Sequence, residues 1–421
     1  MSSICPDQLE LRNVVSFEKG KPPAQQPYFG RDAELYLTPE YLRGGEITEP
    51  IKASSNAVRI SDGDTIVLWD GSNAGEVFKG RSGILSSTMT RLKHNDSFER
   101  EYFFYAVKRW ESFLKGQTSG SGIPHVDKEV LGKLAVLNFI RPEQTKIADI
   151  LSTADRAIEQ TEALIAKQER IKAGLMQDLL TRGIDEHGNL RTEETHVFKD
   201  SPLGRIPEEW GVELLDSLAI RGSGHTPNKG RSTYWNGGIK WVSLADSSKL
   251  DNVWINETDK EISALGLKNS SAVLHPKGTV ILSRDAGVGK SAILGGEMAV
   301  SQHFMAWRCK LGKLHNHYLY YWLQRDKPRF EGIASGSTIV TIGLQFFREY
   351  QIAVPMRVEE QKQIAKALGS VDVAVQQFLM GLGKLRALKT GLMQDLLTGE
   401  KRVMPLLQAE TPIKRETYVK H

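Results

Sequence analysis

Cysteine is almost absent, with Cys5 and Cys309 the only two in 421 residues. They lie far apart, and neither belongs to a Cys-x-x-Cys pair. That argues against a thiolate zinc site and a secreted disulfide framework and fits a reducing compartment. No stretch approaches the roughly 20 consecutive apolar residues that span a bilayer. The opening Met1-Ser-Ser-Ile-Cys-Pro-Asp7 has no basic segment leading into an apolar one, so we expect a cytoplasmic chain that is neither exported nor inserted into a membrane. A large charge excess is also missing. The 55 Lys and Arg stand against 51 Asp and Glu, a formal net charge of +4, which permits nucleic-acid binding without demanding it.

Complete enzyme signatures are missing too. Gly287-Val-Gly-Lys-Ser291 suggests a phosphate-binding loop, but that pattern requires glycine five residues before Gly289, where Arg284 stands. His315-Asn-His317 resembles a nuclease name rather than a nuclease motif, whose residues are spread over a metal-binding ββα unit. Glu360-Gln-Lys362 imitates half of a metal-dependent nuclease signature without an acidic partner upstream, and a charge at a helix start accounts for it. There is no Asn/Asp-Pro-Pro-Tyr/Phe motif for adenine methylation and no glycine-rich S-adenosylmethionine loop after a strand. We expect no catalytic residue, no metal site and no cofactor on this chain.

What is present is a duplication. The octapeptide Gly-Leu-Met-Gln-Asp-Leu-Leu-Thr occurs at Gly174–Thr181 and again at Gly391–Thr398, an offset of 217 (391 − 174). At that offset Glu143-Gln144 matches Glu360-Gln361, Ile147-Ala148 matches Ile364-Ala365, and Asp155 matches Asp372. Upstream, Ser119-Gly-Ser121 matches Ser335-Gly-Ser337, Gly63 matches Gly278 and Ser86 matches Ser301, with the offset drifting by one or two residues as loop insertions would produce.

The second copy carries a heptad seam through Ile364, Leu368, Val371, Val375, Phe378, Leu382, Leu385, Leu392 and Leu396, broken only by Lys389. The first copy is weaker, with Ile147, Leu151, Ala154, Ile158 and Ile165 on one line and Ile150, Ala157, Leu164 and Ile171 on a neighbouring one. Two such seams should pack together as an antiparallel coiled coil. The alternative is that each fills its own domain's core. At 1.5 Å per residue the first helix would run about 60 Å and act as a spacer. Gly369, Gly381 and Gly383 inside the second helix each cost about 1 kcal/mol relative to Ala, so packing must hold it.

The regions outside the helices have short Val/Ile/Leu/Trp runs broken by Gly, Asn, Asp and Pro, a mixed α/β pattern. Thr65-Ile-Val-Leu-Trp69 and Thr279-Val-Ile-Leu-Ser283 read as equivalent buried strands. The expected division is one α/β domain over 1–141, a central helix over 142–181, a connector over 182–205, a second α/β domain over 206–357, a distal helix over 358–398 and a tail over 399–421.

These residues resemble the specificity subunits of type I restriction-modification systems, in which two target-recognition domains alternate with two conserved helices. The resemblance spans nearly the whole chain. It rests on the Glu-Gln-x-x-Ile-Ala helix starts at Glu143 and Glu360, the octapeptide helix ends, and Ser201-Pro-Leu-Gly-Arg-Ile-Pro-Glu-Glu-Trp210 at the opening of the second domain. Gly224-His-Thr-Pro227, Tyr234-Trp-Asn-Gly-Gly238 and Trp241 also look like this family. The chain departs from the pattern at Asn138, where the second copy has Pro355. It departs again at Lys19-Gly-Lys-Pro-Pro23, where the first domain lacks the Gly-His-Thr-Pro version.

The resemblance implies a subunit that reads a split target on double-stranded DNA, one half-site per domain, with helix length setting the gap. It also implies two methylation subunits that modify adenine with S-adenosylmethionine, and motor-nuclease subunits that use ATP and Mg, as partners in phage defence. Those chemistries would reside on other chains.

Base reading needs side chains with several directed hydrogen bonds, and phosphate binding needs cations and small donors on loops. After the first-domain strand come Trp69, Ser72 and Asn73, then Lys79 and Arg81, then Ser86, Ser87 and Thr88. The matching places in the second domain hold Arg284, Asp285, Lys290 and Ser291, then Ser301, Gln302 and His303. Arg284, Gln302, His303 and Asn73 suit base edges, and Lys79, Arg81, Lys290 and Ser291 suit phosphates. Lys21 lies in the first domain's leading loop. In the second domain's loop, His225, Thr226, Lys229, Arg231, Tyr234 and Trp235 combine charge with stacking faces. Ser119, Ser121, Ser335, Ser337 and Thr338 offer small donors before the helices, or simple hinge turns. The alternative for any single residue is a solvated surface loop. Matched placement in both repeats favours DNA contact. The competing functional readings are a self-contained nuclease or ATPase on a coiled-coil scaffold, and a pure oligomerisation scaffold.

Overall fold

A computed structural model of the chain describes residues 6–46, 49–117, 124–335 and 341–410. The chain forms two compact units, Met1–Glu162 with Met380–His421, and Ala163–Leu379. The division cuts across both long helices, Arg141–Leu179 and Val358–Leu397, so each unit contains one α/β region and part of each helix.

In the first unit a four-stranded antiparallel sheet runs in the order Val15–Lys19, Met89–His94, Thr65–Leu68, Val77–Lys79. Thr65–Leu68 is buried at every position, which explains its unbroken apolar run. Helix Arg100–Lys108 covers the sheet with buried Tyr102, Phe103 and Val107. Asp7–Glu10 pairs antiparallel with Ala135–Asn138, just before the central helix begins.

The second unit repeats this strand order with Ala219–Ser223, Phe304–Cys309, Val280–Ser283 and Ser291–Leu294, then adds Trp254–Ile255 in parallel. It also has a second sheet, ordered Lys260–Ile262, Trp235–Val242, Met298–Val300, Leu274–His275. Helix Asn316–Arg325 takes the place of Arg100–Lys108, with Tyr318, Tyr321 and Trp322 buried.

The helices pair antiparallel. In the first unit Asp155 pairs with Lys389 and Glu162 with Arg386, so one residue number rises as the other falls. The lysine that breaks the heptad thereby has an acidic partner, and its ammonium also lies over the Tyr105 ring, 5.7 Å from the centroid. The second unit contains the same cluster with the helices exchanged. Lys172 meets Asp372 at 2.5 Å, Tyr321 donates to that carboxylate at 2.7 Å, and Lys172 sits over the Tyr321 ring. The central helix uses one apolar line, Ile147, Leu151, Ala154 and Ile165, which is buried. On the neighbouring line Leu164 and Ile171 are exposed, because the seam continues instead through half-buried Thr161, Gln168 and Lys172.

The Glu-Gln helix starts are buried polar fixtures rather than dipole-facing charges. Gln144 Nε2 donates to Phe139 O and to Asn138 Oδ1, while its Oε1 accepts from Glu99 N. Gln361 repeats this with Pro355 O, Lys313 O and His315 N. Glu143 takes two 2.7 Å bonds from Arg402. Glu360 accepts from Arg191, a connector residue, and from Trp210 Nε1 and Ile184 N. The octapeptide leucines Leu179, Leu180, Leu396 and Leu397 are buried. The helices end at Leu179 and Leu397, and the turns that follow pass through Gly183 and Gly399, whose φ values of 66° and 76° suit glycine.

Among the described residues, no helix is long and apolar enough to cross a membrane, and no group of three or more His, Cys, Asp or Glu is placed to hold a metal ion.

Candidate nucleic-acid interface

In each unit three segments meet beside the same two central strands: the loop after the buried strand, the turn two strands later, and the loop after the edge strand. In the first unit these are Trp69–Glu76, Ser86–Thr88 and Gly20–Pro23. In the second they are Arg284–Lys290, Ser301–His303 and Gly224–Pro227. The edge-strand loop is held by a close backbone approach. A Cβ on Gly20 would lie 2.0 Å from Ser86 O, and one on Gly224 would lie 1.7 Å from Val300 O, so only glycine fits. Lys19-Gly-Lys-Pro-Pro23 thus occupies the place of Gly224-His-Thr-Pro227 despite its different sequence.

In the second unit Thr226, Lys229, Trp235, Ser301, Gln302 and His303 line one cleft of about 580 Å³. Sequence reasoning missed its other walls, among them Asn236, Trp241, Ser243 and Lys260. The Trp-Asn-Gly-Gly run beside Trp241 was the available signal for them. Trp241 Nε1 donates to His225 O at 3.1 Å, and the Trp235 and Trp241 rings meet edge to face at 5.2 Å. Trp235 Nε1 donates to Asn228 O, which folds the loop over itself.

A chain of hydrogen bonds crosses the cleft rim. Thr226 Oγ1 donates to Gln302 Oε1, and Gln302 Nε2 lies 3.3 Å from His303 Nε2. His303 Nδ1 meets Asp285 Oδ2, and Thr341 Oγ1 donates to Asp285 Oδ1. Arg284 reaches Thr341 Oγ1 at 3.4 Å. Thr341 was not among the sequence candidates, because nothing in its local pattern marks it. Asp285, Arg284 and Thr341 therefore orient one another instead of standing free.

Several expected contacts are structural instead. Ser291 is fully buried and its Oγ accepts from Gln324 Nε2 at 2.8 Å. Lys290 donates to Ser247 O, which closes its loop. This also accounts for the Gly-Lys-Ser run, whose serine faces the core. Ser86 is buried and bonded to Thr88 Oγ1 at 2.9 Å. Tyr234 is buried, its hydroxyl accepting from Arg231. Trp69 packs edge to face on Phe17 at 6.2 Å, a core contact rather than a stacking platform. Lys79 pairs with Glu101 but its side chain stays exposed. Lys21, Ser72, Asn73, Arg81, Thr88, His225, Lys229, Arg231 and Gln302 are exposed, with Ser87 half-buried beside them. The Arg81 guanidinium rests 5.5 Å from the Tyr41 ring centroid. Ser119, Ser121, Ser337 and Thr338 lie outside the described residues, as does the side chain of Ser335.

The other near-miss motifs are also structural. The His315 and His317 rings stack at 5.4 Å, and Asn316 Nδ2 bonds Gly278 O. Burial holds both imidazoles below the ordinary histidine range, with His317 and Lys362 adding to the effect at His315. Glu360 is occupied by Arg191.

The sequence family described as Type I restriction modification DNA specificity domain matches residues 8–170 and 207–377, one copy in each repeat. The type I restriction enzyme MjaVIII specificity subunit of Methanocaldococcus jannaschii is 31% identical, over 94% of this chain and 93% of its own length. The MjaIX specificity subunit of the same organism is 30% identical over 42% of this chain and 41% of its own length. A type I restriction-modification S subunit from M. genitalium has the same fold, with a TM-score of 0.61 at 14% identity, covering 94% of this chain and 97% of that one. A chain solved in work on the assembly of a type I R-M system reaches a TM-score of 0.54 at 18% identity, covering 93% of this chain and 97% of that one. With both repeats matched and one relative similar over nearly its whole length, this chain belongs to the DNA specificity subunits of type I restriction-modification systems.

Proposed function

We propose that this chain reads a bipartite DNA target, one half-site per α/β region, and directs partner subunits to methylate adenine or cleave DNA. The observation that carries this reading is the recurrence of the three-loop arrangement on equivalent strands of both units, with exposed Lys21, Asn73 and Arg81 in one and Lys229, Arg231 and Gln302 in the other. Cations and amides grouped this way suit phosphates and base edges. Helix length is the element of this reading that sets the gap between half-sites. The helices' outward apolar residues, exposed Leu164, Ile171, Val373, Met380 and Leu388, suit the docking of two methylation subunits. S-adenosylmethionine, ATP and Mg belong on the partner chains. This chain's part is binding and orientation.

The test is co-expression with the neighbouring methylation subunit, followed by mapping of methylated adenines on long unmethylated DNA. The expected result is a split motif with a fixed gap that vanishes when this chain is omitted. A folded, active complex that methylates without such a motif overturns the reading.

A further inference from the structure

The geometry points to Gln302 as an adenine-reading residue of the second half-site, its amide locked in one orientation by Thr226 and His303. The inference rests on the DNA-reading function proposed above and goes further, because it names the base.

A glutamine amide is ambiguous until its neighbours decide which end is oxygen, and here they do. Asp285 is held by Thr341 Oγ1 on one oxygen and meets His303 Nδ1 with the other. A carboxylate accepts, so the proton of the His303–Asp285 bond sits on Nδ1, and in that tautomer Nε2 is an acceptor. The group facing Nε2 at 3.3 Å must therefore be the donor end of Gln302. Thr226 Oγ1 donates to the opposite end, Oε1. Each end then retains one unused capacity: a second N–H on Nε2 and a second lone pair on Oε1. Gln302 is exposed, so both face outward at the cleft rim.

One donor beside one acceptor matches one base in the major groove. Adenine offers the N6 amino group as donor and N7 as acceptor. Guanine offers two acceptors, cytosine a single donor, and thymine one acceptor beside a methyl. Around Gln302 the cleft supplies what a base-reading site needs. Lys229 and Lys260 line it as cations for the backbone. The Ser301 hydroxyl, 1% exposed and lining the same cleft, has no hydrogen-bond partner among the described residues. Thr226 and His303 are positioning residues, since they act by fixing the amide.

The test enriches bound fragments from a randomised DNA library with the complete complex of this chain and its methylation subunits, at one fixed salt concentration. The wild-type complex should show one adenine column in one half-site, preferred by about 10- to 100-fold. Gln302→Ala should flatten that column alone, and Gln302→Glu should turn it toward cytosine, whose amino group a carboxylate accepts from. Thr226→Val should weaken the column, and Thr226→Ser should restore it, which a merely structural threonine would not show. The other half-site, read by the same molecule, must stay unchanged and so controls for folding. A Gln302→Ala complex that keeps every column, or loses one that is not adenine, overturns the inference while leaving the bipartite reading intact. A wild-type complex that enriches no split motif overturns both.

Discussion

Removing the Glu360 carboxylate tests whether the Glu-Gln helix start is a buried anchor. Glu360 accepts four hydrogen bonds: two from Arg191, one from Trp210 Nε1 and one from Ile184 N. The side chains of Arg191 and Glu360 are 5% and 8% exposed, so neither charge rehydrates where it sits. Glu360→Ala takes the buried carboxylate from a guanidinium whose other carboxylate, Glu209 at 3.2 Å, is 67% exposed, and strands two further donors. Breaking such a pair from one side costs about 3–5 kcal/mol. Replacing both partners with apolar groups, as in Arg191→Met with Glu360→Leu, removes the stranded charge and should recover most of that loss. A chain of two units need not unfold in one step, so the assay is hydrogen exchange read by mass spectrometry across a urea series. Peptides from 206–357 report the effect, and peptides from 50–117 serve as the control. The reasoning is refuted by a loss below about 1 kcal/mol, by equal loss in both units, or by a double variant no better than the single one. Glu143→Ala should cost less, about 1–3 kcal/mol, because its partner Arg402 is 27% exposed and can turn to water.

Lys389→Leu would complete the heptad yet should destabilise the first unit by about 1–2 kcal/mol, since it leaves Asp155 without its ammonium; thermal melts of the variant and of Lys389→Arg decide it. Gly224→Ala should erase one half-site from the methylation pattern and spare the other, because its Cβ would fall 1.7 Å from Val300 O; an unchanged pattern would refute the close-approach argument. Burial pushes the Cys309 thiol up to about 12, so iodoacetamide at about pH 8 should label it only after unfolding, as peptide mapping will show. The folded thiol keeps its proton where an unfolded one loses it. This group's contribution to stability is therefore complete below the ordinary thiol range and is lost as pH rises from there toward about 12.

The helices and their duplication were legible in the sequence, because a 3.5-residue apolar repeat and an identical octapeptide are local signals. The central helix was harder to read, since its seam runs through Thr161, Gln168 and Lys172, which no hydrophobic pattern identifies. The role of Glu360 was illegible for a different reason: its partner Arg191 lies 169 residues away in a connector. At the candidate site, sequence placed the loops but not the direction of their side chains. Ser291 and Gln302 are both polar residues beside a strand, yet one enters the core and the other meets solvent. Their difference is set by the pleat and by Gln324 from another helix, neither of which leaves a mark at the residue itself.

The core of the first unit includes Leu396, Leu397 and Val403 packed with Leu11, Val67 and Phe103. The second unit is one uninterrupted stretch, Ala163–Leu379. Domains ordinarily fold in the order the ribosome delivers them, N-terminal first. Here the order is inverted: the middle of the chain has all its parts before the beginning does. The first 162 residues must wait through the synthesis of more than half the protein for the segment that closes their core. A chain that stalls after the second unit is complete would therefore carry one finished unit and one whose core is still open.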